Sequence, residues 1–199
     1  LRSKITLEPG DYLLNHNKTK SLRRLNRLKY INSVKINEVE EQGSVDLDIE
    51  INENKKTGNF LLAGSFSGDT GLGFAIGLSD YNIIGSGNEI NSSFNINSEQ
   101  TRFNVVYKEY LINNPSLTNN YSVFNIDNDF TDSFGFKSQE TGIGYKLGYD
   151  YSENVNMSFG IKYNYKKNHS GINSNNFIQD NIGNFNQFTL NYFLVYDST

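Results

Sequence analysis

Two stretches carry residue types and spacings that could bind a cofactor or a metal ion. The glycines of Gly71–Gly77 come close to a dinucleotide fingerprint, and the carboxylates of Asp127–Asp132 resemble the start of a calcium loop. A dinucleotide site needs a strand, a turn and then a helix, whereas apolar alternation runs straight through the glycine stretch. An EF-hand loop needs Gly at its sixth position and Glu at its twelfth, where this chain has Asp132 and Ser138. We therefore expect the glycines to mark a bend or close approach within a sheet, and the carboxylates to lie in a solvated external loop.

The other reactive residue types do not assemble into a catalytic pattern. His16 and His169 are far apart in polar stretches, the chain has no Cys, and no Gly-x-Ser-x-Gly elbow occurs. A structural metal site or a catalytic dyad would lack its remaining members. We expect no enzyme activity, no cofactor and no bound metal.

The elements that hold these residues follow a period of two. In Thr57–Gly87, the side chains of Phe60, Leu62 and Phe66 share one parity, and four more apolar residues continue the alternation after a Gly-Asp-Thr-Gly turn. This pattern predicts an antiparallel hairpin with one apolar face. The same format recurs along the chain, and a tilted strand needs about 9–11 residues to cross a bilayer. We predict eight strands, at 58–67, 72–81, 88–97, 101–110, 117–130, 139–151, 154–166 and 185–197.

Composition favours a membrane barrel over a soluble β-protein. Hydrophobic residues make up 36% of the chain, which is low for a large buried core, yet there are 13 Tyr and 14 Phe. The parity opposite the apolar one is mostly Gly, Ser, Asn and Lys, which suit a water-facing surface better than a packed core. Alternation alone leaves a soluble β-sandwich or a soluble closed barrel as the alternative. No apolar run reaches the roughly 20 residues of a membrane helix, and the net charge of −4 argues against nucleic-acid binding.

Residues 1–54 predict a small α/β arm. Three leucines of segment 21–28 fall on one helical face, with the arginines between them largely off it. Two alternating segments, Tyr30–Asn37 and Val45–Ile51, predict a hairpin whose second strand turns its Val, Leu and Ile side chains toward a core. Because two strands and a helix are too few to close a core, we expect a further strand or helix upstream of Leu1. Leu1 does not begin a signal peptide, so either an export signal also lies upstream or the protein is not exported.

The connections between the predicted strands sort into two classes. If the arm lies in the periplasm, the odd-numbered connections face outside and include the two longest, as expected of outer-membrane barrels. The odd-numbered connections are 68–71, 98–100, 131–138 and 167–184, and the even-numbered ones are 82–87, 111–116 and 152–153.

Several ordered motifs carry a family resemblance along nearly the whole chain. They are LRSKITLEPGDYL, LRRLNRLKYINSVKI and GSVDLDIEINENKKTGNF in the arm, then GLGFAIGLSDYNIIGSGNEI and VVYKEYLINNPSL among the strands. These motifs resemble the BamA-like family of outer-membrane protein assembly factors, in which POTRA domains precede a barrel. The last motif departs from the family pattern, since no Pro follows Glu109 and Asn113-Asn114 stand before Pro115.

The resemblance implies a mainly β fold in two parts. Residues 1–54 would be part of a periplasmic POTRA domain, and residues 55–199 the first eight strands of a 16-stranded antiparallel transmembrane β-barrel. It further implies the outer membrane of a Gram-negative bacterium, nascent outer-membrane β-barrel proteins as clients, and periplasmic lipoproteins as partners in an assembly complex. The implied function is the folding and insertion of other barrels. A TamA-like or two-partner secretion translocator and a passive porin are the alternatives.

The first strand is the candidate site, because in a barrel only the seam between first and last strand can be left weakly paired. A weak seam offers a row of backbone N–H and C=O groups to another chain, and strand addition of this kind tolerates many sequences. Within a bilayer each unmade bond costs several kcal/mol, so an entering strand would be held strongly. The predicted edge residues are Gly58, Asn59, Phe60, Leu61, Leu62, Ala63, Gly64, Ser65 and Phe66, and the predicted partner-binding residues are Arg2, Arg23, Arg24 and Arg27.

Overall fold

The N-terminal arm packs one helix on a two-stranded hairpin. The computed structural model describes residues 1–41, 43–68, 70–111, 114, 116–152, 154–170 and 182–197. Within the arm, a 3₁₀ turn (Arg2–Lys4) precedes helix α1 (Asn15–Asn26) and the antiparallel strands β1 (Ile31–Glu41) and β2 (Ser44–Glu53). Leu25 on α1 is fully buried and packs with Tyr30 and Ile31, and Ile49 and Ile51 of β2 cover this cluster.

Two details of the arm differ from the sequence-based expectation. Helix α1 ends at Asn26, so Leu28 reaches the core from just beyond the helix. Val45 was expected to face a core, and this prediction is wrong, because its side chain is 40% exposed. Val45 pairs with Glu40 next to the hairpin turn, beyond the part of the hairpin that packs on Leu25.

The rest of the chain forms one eight-stranded antiparallel sheet in which each strand pairs with its neighbour along the sequence. The strands are β3 (Gly58–Ser67), β4 (Gly71–Asp80), β5 (Glu89–Ile96), β6 (Gln100–Tyr110), β7 (Leu117–Phe130), β8 (Phe136–Asp150), β9 (Val155–Ser170) and β10 (Gly183–Tyr196). The mainly β, antiparallel fold predicted from alternation is therefore confirmed, as is the number of strands in it within the described residues. The up-and-down order follows from the short connections, since antiparallel neighbours need only tight turns.

One predicted connection is shorter than expected. Between β7 and β8 the chain makes one four-residue helix, α2 (Thr131–Phe134), and Gly135 then turns back at a φ of 73°. The Lys137 ammonium lies 3.4 Å from both the Asp127 and the Asp129 carboxylates, which keeps the two strands paired up to this turn. The carboxylates of Asp127 and Asp129 thus lie in a strand, so the prediction of a solvated loop is wrong for these two, whereas Asp132 lies in the connection and is exposed, as predicted. Of the predicted connection 167–184, residues 171–181 lie outside the described part.

The register sorts the strand side chains into two surfaces, because directly opposed residues share a face. Apolar side chains form continuous rows on one surface, which we call the lipid-side face. One row runs Leu62, Ile76, Phe94 and Phe103, and another runs Val105, Val123, Ile143, Tyr163 and Phe188. The opposite surface, the lumen-side face, carries rows such as Ala75, Asn95 and Arg102, or Ser122, Gly144 and Lys162.

Not all side chains of the lumen-side face are small. Phe124 is buried there because its ring lies over Gly142, where a Cβ would collide with it. The Lys162 ammonium sits 4.2 Å from the centre of the same ring and 2.8 Å from the Glu140 carboxylate. An aromatic ring over a glycine fills a gap that would otherwise weaken the pairing of the strands.

Two kinds of feature are absent from the described residues. None of their helices is long and apolar enough to cross a bilayer. No group of three or more His, Asp or Glu side chains among them is placed to hold a metal ion. The Gly71–Gly77 stretch lies within β4, where a Cβ on Gly73 would come 2.6 Å from the Ser65 hydroxyl.

Candidate functional site

The predicted edge residues all lie in β3, at one end of the eight-stranded sheet. Strand β3 pairs with β4 without interruption from Gly58 opposite Asp80 to Ser67 opposite Gly71. In the described part of the chain, no other strand pairs with β3. Among the described residues, one long side of β3 is therefore unpaired, and an unpaired strand edge can template pairing with another chain.

Hydrogen-bond alternation identifies which residues offer their backbone at this edge. The Tyr81 N–H donates to the Thr57 carbonyl at 3.2 Å, which makes Thr57 and Tyr81 a hydrogen-bonded opposed pair just beyond the ends of the two strands. In an antiparallel ladder, backbone groups of successive residues point alternately to the two sides of the strand. The odd-numbered residues of β3 therefore bind β4. The even-numbered residues present N–H and C=O to the open edge: Gly58, Phe60, Leu62, Gly64 and Phe66.

A second bond supports the same assignment. The Asn97 N–H donates to the Gln100 carbonyl at 2.9 Å, which directs the odd-numbered residues of β5 to β6 and the even-numbered ones to β4. Because Ile96 is opposed to Phe74, the even-numbered residues of β4 face β5 and its odd-numbered residues face β3. Both hydrogen bonds therefore lead to the same assignment, in which the even-numbered residues of β3 face the open edge.

Strand β3 is the most exposed element of the sheet. All ten of its residues are exposed, a pattern that no other described strand shows. The side chains of Phe60, Leu62 and Phe66 belong to the lipid-side face and are 65%, 66% and 78% exposed. In a membrane these surfaces meet hydrocarbon, so the exposure is compatible with apolar residue types.

The pairing of β3 with β4 lacks side-chain contacts at half of its positions. Five of its ten opposed pairs contain a glycine, namely those of Gly58, Gly64, Gly71, Gly73 and Gly77. In the ladder of β9 and β10 only two of fourteen pairs do, those of Gly160 and Gly183. Cross-strand side-chain pairs contribute roughly 0.2–1 kcal/mol each, so β3 is held mainly by its backbone bonds.

Steric constraints do not require glycine at positions 58 and 64. A Cβ at Gly58 would come no closer than 3.6 Å to another atom, and one at Gly64 no closer than 3.9 Å. Neither residue has the positive φ that favours glycine. Glycine costs roughly 0.5–1 kcal/mol relative to alanine inside a strand, so these two weaken β3 without serving its geometry.

The apolar band is short at the first strand. From Phe60 to Phe66 it covers six residue steps, about 20 Å along the strand and about 16 Å along the membrane normal at a tilt of ~40°. From Val155 to Tyr165 on β9 the band covers ten residue steps, which is about 34 Å along the strand and about 26 Å along the membrane normal at the same tilt. The longer value matches the apolar band of about 25 Å that outer-membrane barrels present, and the shorter one does not. The bilayer beside β3 would have to thin.

The arm meets one end of the sheet, which we call the arm end. Here the Lys29 ammonium lies 4.3 Å from the centre of the Tyr81 ring and 4.0 Å from the Glu89 carboxylate. The Asn54 N–H donates to the Tyr30 carbonyl at 2.8 Å and ties the linker to the arm. Burial raises the pKa of Tyr30, and Glu53 adds to the shift, so this residue stays neutral.

A basic cleft of about 770 Å³ separates the arm from the strand ends. Of the predicted partner-binding residues, Arg24 and Arg27 line it, whereas Arg2 and Arg23 do not. Three lysines that the sequence analysis missed add to its positive charge, and among the described residues its lining includes the carboxylate of Asp150. The lysines are Lys4, Lys20 and Lys108.

The cations of the cleft lie close enough to influence one another. Burial lowers the pKa of Lys4, Asp150 raises it, and the charges of Arg24 and Lys108 lower it further. The sequence contained one usable signal, because the spacing of Lys20, Arg24 and Arg27 puts them on one face of α1, with Arg27 as the residue that caps its C-terminus. Lys4 and Lys108 come from separate elements, and only the tertiary fold brings them there.

Comparison with protein-family models matches residues 82–199 to the Omp85 superfamily domain. Two solved structures share the fold at low sequence identity. BamA from Haemophilus ducreyi lacking POTRA domains 1–3 superposes with a TM-score of 0.69 at 19% identity, over 97% of this chain and 39% of that one. CdiB from Acinetobacter baumannii superposes with a TM-score of 0.56 at 16% identity, over 96% of this chain and 38% of that one. The chain thus spans about two fifths of the length of these proteins.

Proposed function

This chain belongs to the Omp85 superfamily of outer-membrane β-barrel proteins, and from that premise we propose that it assembles other barrels by lending them the edge of β3. An unfolded outer-membrane protein would add its strands to the backbone groups of Gly58, Phe60, Leu62, Gly64 and Phe66. The observation that carries the proposal is the open side of β3, which no described strand covers. Its hydrogen-bonding groups recognise backbone, so clients of many sequences would fit.

The lipid environment supports this function. Where water is absent, an unpaired backbone group costs several kcal/mol, so a strand arriving from the aqueous side gains more at this edge than it would in water. A short apolar band beside β3 would lower the barrier for polar loops of the client to cross. The action is non-enzymatic, since hydrogen bonds are made and exchanged and no covalent bond changes.

The proposed orientation places the arm in the periplasm. The connections at the arm end would then be periplasmic, and those beside α2 and between β9 and β10 would be external. Periplasmic lipoproteins of an assembly complex would dock on the arm as partners, and nascent barrel proteins would be the clients.

Site-specific photocrosslinking in the full-length protein tests the proposal. A photoreactive residue at Leu62 should yield an adduct with a stalled client barrel. Ile76 is the matched control, because it is directly opposed to Leu62 on the same face but lies one strand further from the edge. Adducts at Leu62 and none at Ile76 are expected. Equal yields at both positions, or none at Leu62 in a correctly inserted protein, would count against the proposal.

Secretion of a polypeptide through the lumen is the second candidate. The Gly, Ser and Asn residues of the lumen-side face favour it, because they leave a small and polar surface past which a chain could slide. A photoreactive residue at Ser93, on that face, would then crosslink the passenger, whereas Leu62 would not. A passive porin would conduct ions without any assembly defect on depletion.

A further inference from the structure

The foot of β3, which we define as residues 57–59, is where the first strand leaves the arm. Thr57 is half-buried, whereas all ten residues of β3 are exposed. The Thr57 hydroxyl donates a hydrogen bond of 2.7 Å to the Asp80 carboxylate at the end of β4. Within residues 57–66, no other side chain makes a hydrogen bond to the described part of β4. Apart from the backbone ladder, the foot is therefore held by one pair of side chains.

The Asp80 carboxylate is fixed by the turn that follows it. The oxygen that accepts the Thr57 hydroxyl, Oδ1, also accepts the Asn82 N–H at 2.9 Å. The Asn82 side chain in turn accepts the Gly87 N–H at 2.6 Å, which closes the turn between β4 and β5. Gly87 has a φ of 76°, and the Tyr30 hydroxyl of the arm lies 3.2 Å from where a Cβ would stand on it. The acceptor for Thr57 is thus held by a closed turn that packs against the arm.

The position of Asp80 on the sheet favours donors from the protein over water. Asp80 is half-buried and ends the row of even-numbered β4 side chains on the lipid-side face, after Ile76 and Leu78. A carboxylate beside an apolar band loses part of its hydration, so it needs hydrogen bonds from neighbouring groups. A hydroxyl bound to a carboxylate forms a charge-assisted bond, which is roughly twice as strong as one between neutral groups.

Two of the motifs that carry the family resemblance meet at this bond. Thr57 belongs to GSVDLDIEINENKKTGNF, and Asp80 and Asn82 belong to GLGFAIGLSDYNIIGSGNEI. Thr57 and Asp80 are 23 positions apart in the chain, and the pairing of β3 with β4 brings them together. The hydrogen bond gives both motifs one physical task, which is to fix the beginning of the first strand.

We propose that Asp80 is a positioning residue for the edge of β3 and that it acts through Thr57. By holding Thr57 opposite Tyr81, the carboxylate keeps the odd-numbered residues of β3 on β4, so that Gly58 and Phe60 face the open edge. Without this bond the strand frays from its foot, because its other end is joined to β4 by a short connection. The effect on client templating rests on the proposed function, whereas the hold on the foot does not.

Closure of the turn alone is the competing role for Asp80. An Asp that accepts the N–H two residues ahead is a common turn former, and that role needs Asn82 but not Thr57. Thr57→Val separates the two roles, because it removes the hydroxyl, keeps the branched shape and leaves the bond from Asn82 in place.

Amide hydrogen exchange in the full-length, membrane-inserted protein tests the hold on the foot. The Tyr81 N–H donates to the Thr57 carbonyl, so its exchange rate reports the opening of this pair. Thr57→Val should raise that rate about three- to tenfold, the range expected for the loss of one hydrogen bond. The Asp150 N–H, which donates to the Ser116 carbonyl at the same end of the sheet, should keep its rate.

Three further variants make the comparison specific. Thr57→Ser keeps the hydroxyl and should restore slow exchange at Tyr81. Ser65→Ala removes a hydroxyl that makes no hydrogen bond to the described part of β4, and it should leave the rate at Tyr81 unchanged. In an Asp80→Ala background, Thr57→Val should accelerate exchange no further, because the acceptor is already gone.

Photocrosslinking connects the foot to the proposed function. Phe60 and Phe66 both face the open edge on the lipid side, and Phe60 lies next to the foot. With a photoreactive residue at each position in turn, Thr57→Val should lower the yield of client adducts at Phe60 severalfold and leave the yield at Phe66 unchanged. Absence of adducts at both positions in the otherwise unmodified protein would contradict the proposed function, and the exchange measurement would still decide the hold on the foot.

Four outcomes would overturn the positioning role. The first needs no variant and is exchange at Tyr81 as fast as that of a free amide. The second is an unchanged rate in Thr57→Val, which would leave Asp80 with the turn alone. The third is equal acceleration at Tyr81 and Asp150, which would mean that the substitution loosens this end of the sheet as a whole. The fourth is an equal effect of Thr57→Val with and without the Asp80 carboxylate.

Discussion

Proline at position 62 separates the edge function of β3 from its structural role. The Leu62 N–H points to the open edge, whereas the N–H groups of Leu61 and Ala63 point to β4. Proline has no N–H and is tolerated in a strand only where that group faces away from the ladder. We therefore expect Leu62→Pro to leave the β3–β4 pairing intact while removing one donor from the template.

The expected effect follows from counting the groups at the edge. Five residues with one N–H and one C=O each allow up to ten hydrogen bonds with an added strand. Loss of one such bond costs about 1 kcal/mol in water and several kcal/mol in hydrocarbon. The proline ring also occupies space that the incoming strand needs. Client insertion should therefore fall by about tenfold or more.

The assay is insertion of a client barrel into liposomes that contain the full-length protein, followed by heat-modifiable mobility of the client. Leu62→Ala keeps the N–H and should insert clients at close to the unmodified rate. Leu61→Pro removes a donor from the ladder to β4 and should destabilise the protein itself. If Leu62→Pro folds and inserts clients as fast as Leu62→Ala, the backbone groups of this edge do not template the client.

Three further substitutions test other parts of the structure. Gly64→Ala meets no close contact, so it should stabilise β3 by about 0.4–1 kcal/mol and slow client insertion, measured by amide hydrogen exchange and the liposome assay. Gly142→Ala would place a Cβ against the Phe124 ring and 2.6 Å from the Tyr163 carbonyl, and should destabilise the sheet by about 1–3 kcal/mol in urea unfolding. Leu25→Ala empties a fully buried position of the arm and should cost about 2–5 kcal/mol, detected as proteolysis of the arm while the barrel stays heat-modifiable. Unchanged values in any of these measurements would contradict the packing described for that residue.

Alternation predicted the strands well because a single physical rule governs most of them. A strand that separates hydrocarbon from water must alternate along its whole crossing, so the pattern in segments such as 155–165 marks both the strand and its faces. The rule weakens where strands leave the bilayer. β8 begins at Phe136 rather than at residue 139, and β9 continues to Ser170 rather than ending at residue 166. Ion pairs such as that of Lys137 hold these extensions together, and period two carries no signal for them.

The position of the candidate edge at β3 was predicted from topology, but the sequence did not predict which residues of β3 face that edge. That β3 comes first along the barrel part follows from the sequence, but the side that faces β4 depends on a register that alternation cannot give. The hydrogen bond between Tyr81 and Thr57 supplies it. The basic cleft was half predicted, since Arg24 and Arg27 are visible as a charged helix face. Lys4 and Lys108 join them only through contacts between distant parts of the chain.

The two ends of the sheet are unequal, which bears on where a seam could open. β10 also has an open side in the described chain, yet its even-numbered residues from Phe188 to Tyr196 are bulky, and its ladder to β9 has a side chain on both members of twelve of its fourteen pairs. β3 has such pairs at five of ten positions, and glycines at two of the five residues of its edge. A strand held mainly by backbone bonds can exchange those bonds for equivalent ones with a client at little net cost, because few side-chain contacts are lost. Under the proposed function, the same glycines that weaken β3 in its own sheet would make it a better template.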